Sequence, residues 1–176
     1  MKIAILGYSG SGKSTLSKYL AKEYDLPILH LDRVQYESNW QERDRQQAIE
    51  IVNQFMTDND NWVIDGNYSR FCQQERLQQA DRIVLMLFNR FACVHRVLKR
   101  LRKHRHTCRD DIADGCTEKV DWEFFWWVLY KGRSEKRRNI YRHIKLTYPT
   151  KTYVLCNQRQ LNAFKVNPFD ECFLSN

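Results

Sequence analysis

Hydrophobic positions along the chain form short apolar runs, which alternate with longer stretches of helical spacing. The runs predict five β-strands, at residues 2–6, 28–31, 62–64, 83–88 and 152–156. Apolar residues three and four apart predict helices over 14–24, 42–57, 91–103, 120–130 and 135–146, and near 161–164. Strands that alternate with helices favour an α/β fold, a parallel sheet with helices on both faces. The continuous run at 83–88 is typical of a central strand buried on both sides.

A glycine-rich loop follows the first predicted strand and precedes the first predicted helix. Its residues, GYSGSGKST at 7–15, match the pattern G-x-x-x-x-G-K-S/T. Glycines let the backbone wrap tightly, so that N–H groups and the positive end of the helix converge on phosphate oxygens. Lys13 can reach the β- and γ-phosphates, and Ser14 can place its hydroxyl on Mg²⁺. The loop therefore predicts a P-loop that binds ATP and Mg²⁺ through Gly7, Ser9, Gly10, Ser11, Gly12, Lys13, Ser14 and Thr15.

Two aspartates end predicted strands, at the edge where parallel α/β folds bind their ligands. Asp65 ends the run WVID and is followed by Gly66, and Asp32 ends the run ILHLD. A P-loop needs a second acid for its hydrated magnesium ion, so we expect Asp65 to serve the metal together with Ser14. Asp32 is a candidate to orient or deprotonate an acceptor hydroxyl. His30 lies two residues before Asp32, on the same side of the strand, where substrate contact and a buried structural role are both open.

A strongly basic stretch extends from Arg90 to Arg109, with eight lysines and arginines and no acid. Arg96 and Arg100 are four residues apart and so share one helix face. Two guanidinium groups there could neutralise the charge that develops on a transferred phosphoryl group, which makes both residues candidate catalytic groups. The stretch also fits a solvated helix face or a nucleic-acid contact, since a basic helix binds phosphates without reading sequence.

Two further clusters leave alternatives open. One consists of His104, His106, Cys108 and Cys116. Its side-chain types bind zinc, but the spacing lacks a C-x-x-C pair, so a turn at Gly115 is favoured over a metal site. The other consists of Trp122, Phe124, Phe125, Trp126, Trp127 and Tyr130. Its helical spacing predicts core packing, with a stacking floor for a base or a mobile flap as the alternative.

Composition and charge narrow the class of protein. The 176 residues are 43% hydrophobic and 28% charged, which is ordinary globular usage and suits a single domain over 1–176. Lysine and arginine number 29 against 21 acids, and the net charge of +8 favours a polyanionic partner, which could be a nucleotide, a nucleic acid or an anionic lipid. The N-terminal apolar run is too short for a signal peptide or a membrane span, and the cysteines are scattered. We therefore expect a cytoplasmic protein with reduced thiols and no membrane contact.

Together these motifs resemble the adenylate-kinase-like branch of P-loop small-molecule kinases, and within it the group labelled DNA topology modulation proteins. The likeness covers most of the chain and rests on GYSGSGKST at 7–15, LHLD at 29–32, WVIDGNYSR at 62–70, ADRIVLMLF at 80–88 and HRVLKR at 95–100. The stretch RDDIADGCTEKVDWEFFWWV at 109–128 is similar to the lid region of that group.

The resemblance implies a three-layer α/β/α P-loop NTPase fold with a five-stranded parallel sheet. It also implies a helical acceptor-binding segment at about 33–60 and a short arginine-bearing lid at about 103–120. ATP would be held by the P-loop, with Arg96 and Arg100 at its phosphates and Arg109 closing from the lid. The substrate-binding residues would be His30, Asp32, Arg33, Asp65, Gly66 and Arg70. The adenylate kinases have Asp-Gly-aromatic-Pro-Arg after the third strand, whereas this chain lacks the proline and places its arginine one position later, at Arg70.

The sequence thus predicts an enzyme, a monomer or homodimer, that transfers a phosphoryl group from Mg-ATP to a small-molecule or nucleotide acceptor. The alternative is an ATP-dependent regulatory or nucleic-acid-binding protein that affects DNA topology. That alternative predicts strongly salt-dependent binding to DNA or RNA.

Overall fold

The computed structural model describes residues 1–103 and 122–174. In these residues one sheet contains the strands β1 (Lys2–Gly7), β2 (Ile28–His30), β3 (Trp62–Asp65), β4 (Arg82–Met86) and β5 (Thr152–Leu155). The strands lie in the order β2-β3-β1-β4-β5, and every neighbouring pair is parallel. The five-stranded parallel α/β fold that the alternating pattern predicts is confirmed.

Helices connect the strands and cover the sheet. They are α1 (Lys13–Glu23), α2 (Leu31–Gln35), α3 (Arg45–Asp58), α4 (Gln73–Gln79), α5 (Arg90–Lys103), α6 (Trp122–Leu129), α7 (Glu135–Thr147) and α8 (Gln158–Val166). The sequence pattern did not predict α2 and α4, because five and seven residues are too few to establish a helical period. The prediction of a strand over 28–31 is therefore wrong at Leu31, which begins α2. The prediction that His30 and Asp32 lie on the same side of one strand is wrong for the same reason, since Asp32 belongs to α2. Across the described ranges, no helix combines the length and the apolar character that a membrane span requires.

Alternating side chains of the strands enter two separate cores. Ile3 and Ile5 of β1 pack in the core that α1, α5 and α8 cover, and Ala4 and Leu6 pack in the core that α3, α4 and α7 cover. All four residues are fully buried, as are residues 83–86 of β4. Both strands have a neighbour on each side, so the continuous apolar run does mark a strand buried on both faces.

The carboxyl ends of β1, β2 and β3 form the edge that carries the glycine loop and both aspartates. Asp65 at the end of β3 lies in register with Ile5 of β1 and His30 of β2. The helix after β1 packs on one face of the sheet and the helix after β3 packs on the other. A crevice therefore opens between these two strands, which is where open parallel sheets bind ligands.

The aromatic residues at α6 are less buried than the predicted core packing requires. Trp122, Trp126 and Tyr130 are 71%, 42% and 52% exposed, so that prediction is wrong for these three rings. Their rings contact one another, with ring centroids 6.0 Å apart between Trp122 and Trp126 and 4.8 Å apart between Trp126 and Tyr130. Val128 on the opposite side of the helix is buried in the core.

Candidate functional site

The loop between β1 and α1 adopts a conformation that depends on its glycines. Gly10 has a φ of +76°, and a Cβ there would lie 2.8 Å from the carbonyl oxygen of Cys93. Gly7 also has positive φ, and a Cβ there would overlap the backbone of Met86. The loop is closed by backbone bonds, since Tyr8 N donates to Met86 O at 3.2 Å and Ser11 N donates to Tyr8 O at 3.2 Å. Side chains are thus excluded where the backbone must turn most sharply.

Several hydrogen-bond donors of this loop lack a protein acceptor. Within residues 1–103 and 122–174, none of the backbone N–H groups of Gly10, Gly12, Lys13 and Ser14 bonds to protein. In the same ranges the buried hydroxyl of Ser11 has no partner. Orphaned N–H groups at a helix N-terminus bind phosphate oxygens, with the helix dipole adding its positive end. The residues present therefore fit the phosphate chain of a nucleotide.

The ammonium group of Lys13 lies within the loop. Its Nζ donates to the carbonyl oxygen of Tyr8 at 3.1 Å. Burial lowers the pKa of Lys13, and the charge of Arg100 lowers it further, while the negative charges of Asp32 and Asp65 act in the opposite direction. A desolvated cation of this kind interacts strongly with an anion that enters the site.

Asp65 lies in a buried hydrogen-bond network behind the loop. Its Oδ1 is 2.7 Å from His30 Nδ1, and its Oδ2 accepts from Ser17 Oγ at 3.0 Å. Ser17 Oγ also lies 3.1 Å from the carbonyl oxygen of Ser14, which connects the carboxylate to the first turn of α1. Hydroxyl and carboxylate oxygens are suitable ligands for hydrated Mg²⁺. Over the described part of the chain, no three His, Cys, Asp or Glu side chains form a metal site of their own, so such an ion would depend on nucleotide phosphates as well.

Asp32 lies at the start of α2 and faces a second polar cluster. Its Oδ1 accepts from the hydroxyl of Tyr68 at 2.8 Å. Burial and the nearby Asp32 charge raise the pKa of Tyr68, so this phenol stays protonated and donates. Arg70 donates from Nη2 to Oε1 of the buried Gln35 at 2.5 Å. Burial and the charges of Glu42 and Asp32 raise the pKa of Tyr36, while the charge of Arg70 opposes them. Asp32 thus contacts this polar, aromatic cluster, and its negative charge also affects the pKa of Lys13 in the loop.

The two arginines of α5 occupy different positions beside the loop. Arg96 donates to the carbonyl oxygen of Ser11 and, at 2.6 Å, to Oε1 of Gln158. Its guanidinium also lies 3.9 Å from the ring centroid of Phe88. Burial lowers the pKa of Lys13, and Arg100 lies close enough for its positive charge to lower it further. Arg96 therefore supports the loop, and Arg100 adds positive charge where phosphates would bind.

Two further residues support the loop and were not predicted from the sequence. The side-chain amide of Asn67 accepts from Gly7 N at 2.9 Å and donates to Gly7 O at 2.5 Å. Arg133 donates to Phe88 O at 2.9 Å, and its guanidinium lies 3.9 Å from the ring centroid of Tyr8. Asn67 lies only two residues after Asp65, which is a weak indication in the sequence that it belongs to the site. Nothing in the sequence connects Arg133 to a loop over 100 residues away.

The remaining predicted site residues lie around this centre or outside the described residues. Gly66 N donates to Ile5 O at 3.0 Å, which holds the chain against β1 as it leaves β3. Ser9 is half-buried in the loop, and Thr15 and Arg33 are exposed. Arg109, the cluster of His104, His106, Cys108 and Cys116, and residues 104–120 of the predicted lid lie outside the described residues.

Comparison with known proteins agrees with this geometry. Residues 1–118 match the family model described as ABC transporter. No curated protein matches the sequence significantly. Neither comparison names the DNA topology modulation group, so that narrower resemblance stays a prediction.

Similar folds occur among solved structures at low sequence identity. An uncharacterized protein from Eubacterium ventriosum is 17% identical over 97% of this chain and 100% of its own, with a TM-score of 0.51. Shikimate kinase from Bacteroides thetaiotaomicron is 17% identical over 94% of both chains, with a TM-score of 0.52. Deoxyadenosine kinase from M. mycoides with bound dATP is 16% identical over 95% of this chain and 100% of its own, with a TM-score of 0.51. These likenesses show a kinase-like P-loop fold.

Proposed function

This chain belongs to the ABC transporter family of P-loop NTPases, and we propose that it is a phosphotransferase. It would bind Mg-ATP and move the γ-phosphoryl group to a hydroxyl or phosphate oxygen of a small-molecule or nucleotide acceptor. The kinases among its structural neighbours have the same fold.

The position of Asp32 carries this proposal. Burial lowers the pKa of Lys13, and Asp32 lies close enough to the ammonium group for its negative charge to oppose that effect. Its Oδ1 also accepts a hydrogen bond from the hydroxyl of Tyr68. A carboxylate near the phosphate site can orient an acceptor hydroxyl and take its proton, which is the part that the catalytic-loop aspartate has in protein kinases. The cluster of Gln35, Tyr36 and Arg70 offers polar and aromatic groups for such an acceptor.

Each group then has a defined part in the transfer. The bond from the γ-phosphorus to the β–γ bridging oxygen breaks, and a bond to the acceptor oxygen forms. A hydroxyl acceptor gives its proton to Asp32, and ADP leaves. Lys13, Arg96 and Arg100 stabilise negative charge on the phosphates, mainly by being positioned before reaction begins. Ser14 and Asp65 would hold Mg²⁺, which supplies further charge neutralisation when bound.

ADP release from Mg-ATP tests the proposal, measured alone and with nucleoside monophosphates, nucleosides and small hydroxy acids. We expect one acceptor class to raise the rate well above the basal rate. Lys13→Ala should abolish both rates, and Asp32→Asn should lower acceptor-dependent transfer while ATP binding stays within about twofold. The matched control is Asp81→Asn, because Asp81 accepts from Lys2 N at the opposite end of the sheet.

Two outcomes would contradict the proposal. Tight ATP binding without stimulation by any acceptor class would favour the regulatory alternative, particularly if ATP changed a salt-dependent affinity for DNA or RNA. Full acceptor-dependent turnover in Asp32→Asn would show that this carboxylate does not serve the acceptor.

A further inference from the structure

We propose that Arg76 is a positioning residue of the acceptor site, which fastens the segment 66–71 so that Tyr68 holds Asp32 in place. This inference rests on the proposed function, because it concerns the carboxylate that would receive the acceptor proton. Neither the motifs nor the fold comparisons assign Arg76 a role.

The guanidinium of Arg76 is directed at the backbone of this segment. Arg76 belongs to α4 and is fully buried. Its Nε donates to Phe71 O at 2.9 Å, and its Nη2 donates to Tyr68 O at 2.9 Å. One rigid side chain therefore binds two carbonyl groups of the short segment that leaves β3. Burial lowers the pKa of Arg76 to about 10, so it remains a cation at neutral pH.

A continuous set of contacts leads from Arg76 to the reaction site. The ring of Tyr68, whose carbonyl Arg76 binds, stacks on that of Phe71 with centroids 5.1 Å apart and an interplanar angle of 20°. The Tyr68 hydroxyl then donates to Asp32 Oδ1 at 2.8 Å. Because both the backbone and the ring of Tyr68 are held, its hydroxyl has little freedom to leave Asp32.

Stability alone is a poor reason for an arginine at this position. Removing a guanidinium from water is costly, and buried charges are often replaced by apolar residues without loss of stability. Within the described ranges, Nη1 of Arg76 has no hydrogen-bond partner, so the desolvation of this cation is incompletely compensated. The fork of donors fits the two carbonyl groups of one segment, a geometry that a lysine ammonium does not reproduce.

Acceptor kinetics of Arg76→Met, Tyr68→Phe and the double variant test the inference. For Arg76→Met we expect kcat for transfer to fall at least about tenfold and acceptor KM to rise, while the Kd of ATP stays within about twofold. Arg76→Lys should recover part of the loss. If Arg76 acts through Tyr68, the kcat of the double variant should be no lower than that of the less active single variant. If the two residues act independently, their fold-losses in kcat should multiply. Hydrogen exchange of the amides at 66–71 should accelerate in Arg76→Met.

The matched control is Lys151→Met, which affects the other end of α4. Lys151 Nζ donates to the carbonyl oxygens of Leu77, Gln78 and Ala80, at 2.9, 2.9 and 2.7 Å. Its loss should reduce stability and leave acceptor kinetics unchanged. If Arg76→Met does not fold, Arg76→Gln provides the same comparison.

The failures of the two proposals are distinguishable. An active wild-type enzyme with unchanged kcat and KM in Arg76→Met would overturn the role of Arg76 alone. Multiplied losses in the double variant would also overturn it, because Arg76 would then act by a route other than Tyr68. A wild-type protein that transfers to no acceptor would overturn both proposals, whatever hydrogen exchange shows.

Discussion

Asn67 allows a sharp test of how the phosphate-binding loop is held. Its side-chain amide makes two hydrogen bonds to the backbone of one residue, accepting from Gly7 N at 2.9 Å and donating to Gly7 O at 2.5 Å. Asn67→Asp has nearly the same volume and keeps the acceptor, but it turns the donated bond into a close approach of two oxygens. Asn67→Ala removes both bonds and adds no charge.

The size of the effect follows from these contacts. Two hydrogen bonds at about 0.5–1.5 kcal/mol each predict that Asn67→Ala loses about 1–3 kcal/mol of unfolding free energy. Asn67→Asp should lose about 3 kcal/mol, because a charged oxygen is left facing a carbonyl oxygen at a buried glycine. Since Gly7 begins the loop, both variants should also weaken ATP binding at least about tenfold, or about 1.4 kcal/mol.

Urea unfolding followed by circular dichroism gives the free energies, and a fluorescent ATP analogue gives the affinities. The midpoint should fall with little change in the slope m, as expected for a loss of native-state contacts. The control is Asn167→Asp, which brings an extra charge against Asp170, 2.7 Å from Asn167 Nδ2, at an exposed site away from the loop. It should change stability by less than about 1 kcal/mol and leave ATP binding unchanged. Wild-type stability in Asn67→Asp would refute the hydrogen-bonding arrangement at Gly7.

Three further predictions concern the same centre. Lys13→Met should stabilise the ligand-free protein by about 0.5–2 kcal/mol while removing its stabilisation by Mg-ATP, since burial disfavours the charged ammonium. The pKa of Lys13 lies lower in the folded protein than the ordinary 10.5, so the unfolded chain binds more protons between these two values. Wild-type stability should therefore gain a contribution as pH rises through that window, and an identical pH slope in Lys13→Met would contradict this. Ser17→Ala should lower the unfolding free energy by about 1–2 kcal/mol, because Asp65 loses a buried hydrogen-bond donor. It should also raise severalfold the Mg²⁺ concentration needed for ATP binding, and an unchanged magnesium titration would count against the proposed metal site. Arg133→Met should lower the unfolding free energy, measured in urea, by about 2–3 kcal/mol, since it removes a hydrogen bond to Phe88 O and the contact with the Tyr8 ring. A loss below about 0.5 kcal/mol would show that Arg133 does not support the loop.

Local patterns in the sequence were sufficient to predict the sheet and the phosphate-binding loop. The strands alternate with helices of clear period, and the glycine motif works through backbone geometry that depends on neighbouring residues alone. Asp32 and Asp65 could be placed at the carboxyl edge for the same reason, because each follows a short apolar run. The parallel pairing then brings His30 and Asp65 into register.

Contacts between residues far apart in the chain were decided by the tertiary structure alone. The role of Arg133 depends on packing between elements, and no spacing in the sequence encodes that its side chain meets the carbonyl group of Phe88, 45 residues away. The exposure of Trp122 is a similar case, because helical spacing predicts that rings share a face but not what covers that face. Local periodicity thus determined the elements and the loop, while the surroundings of each polar or aromatic side chain depended on how the elements pack.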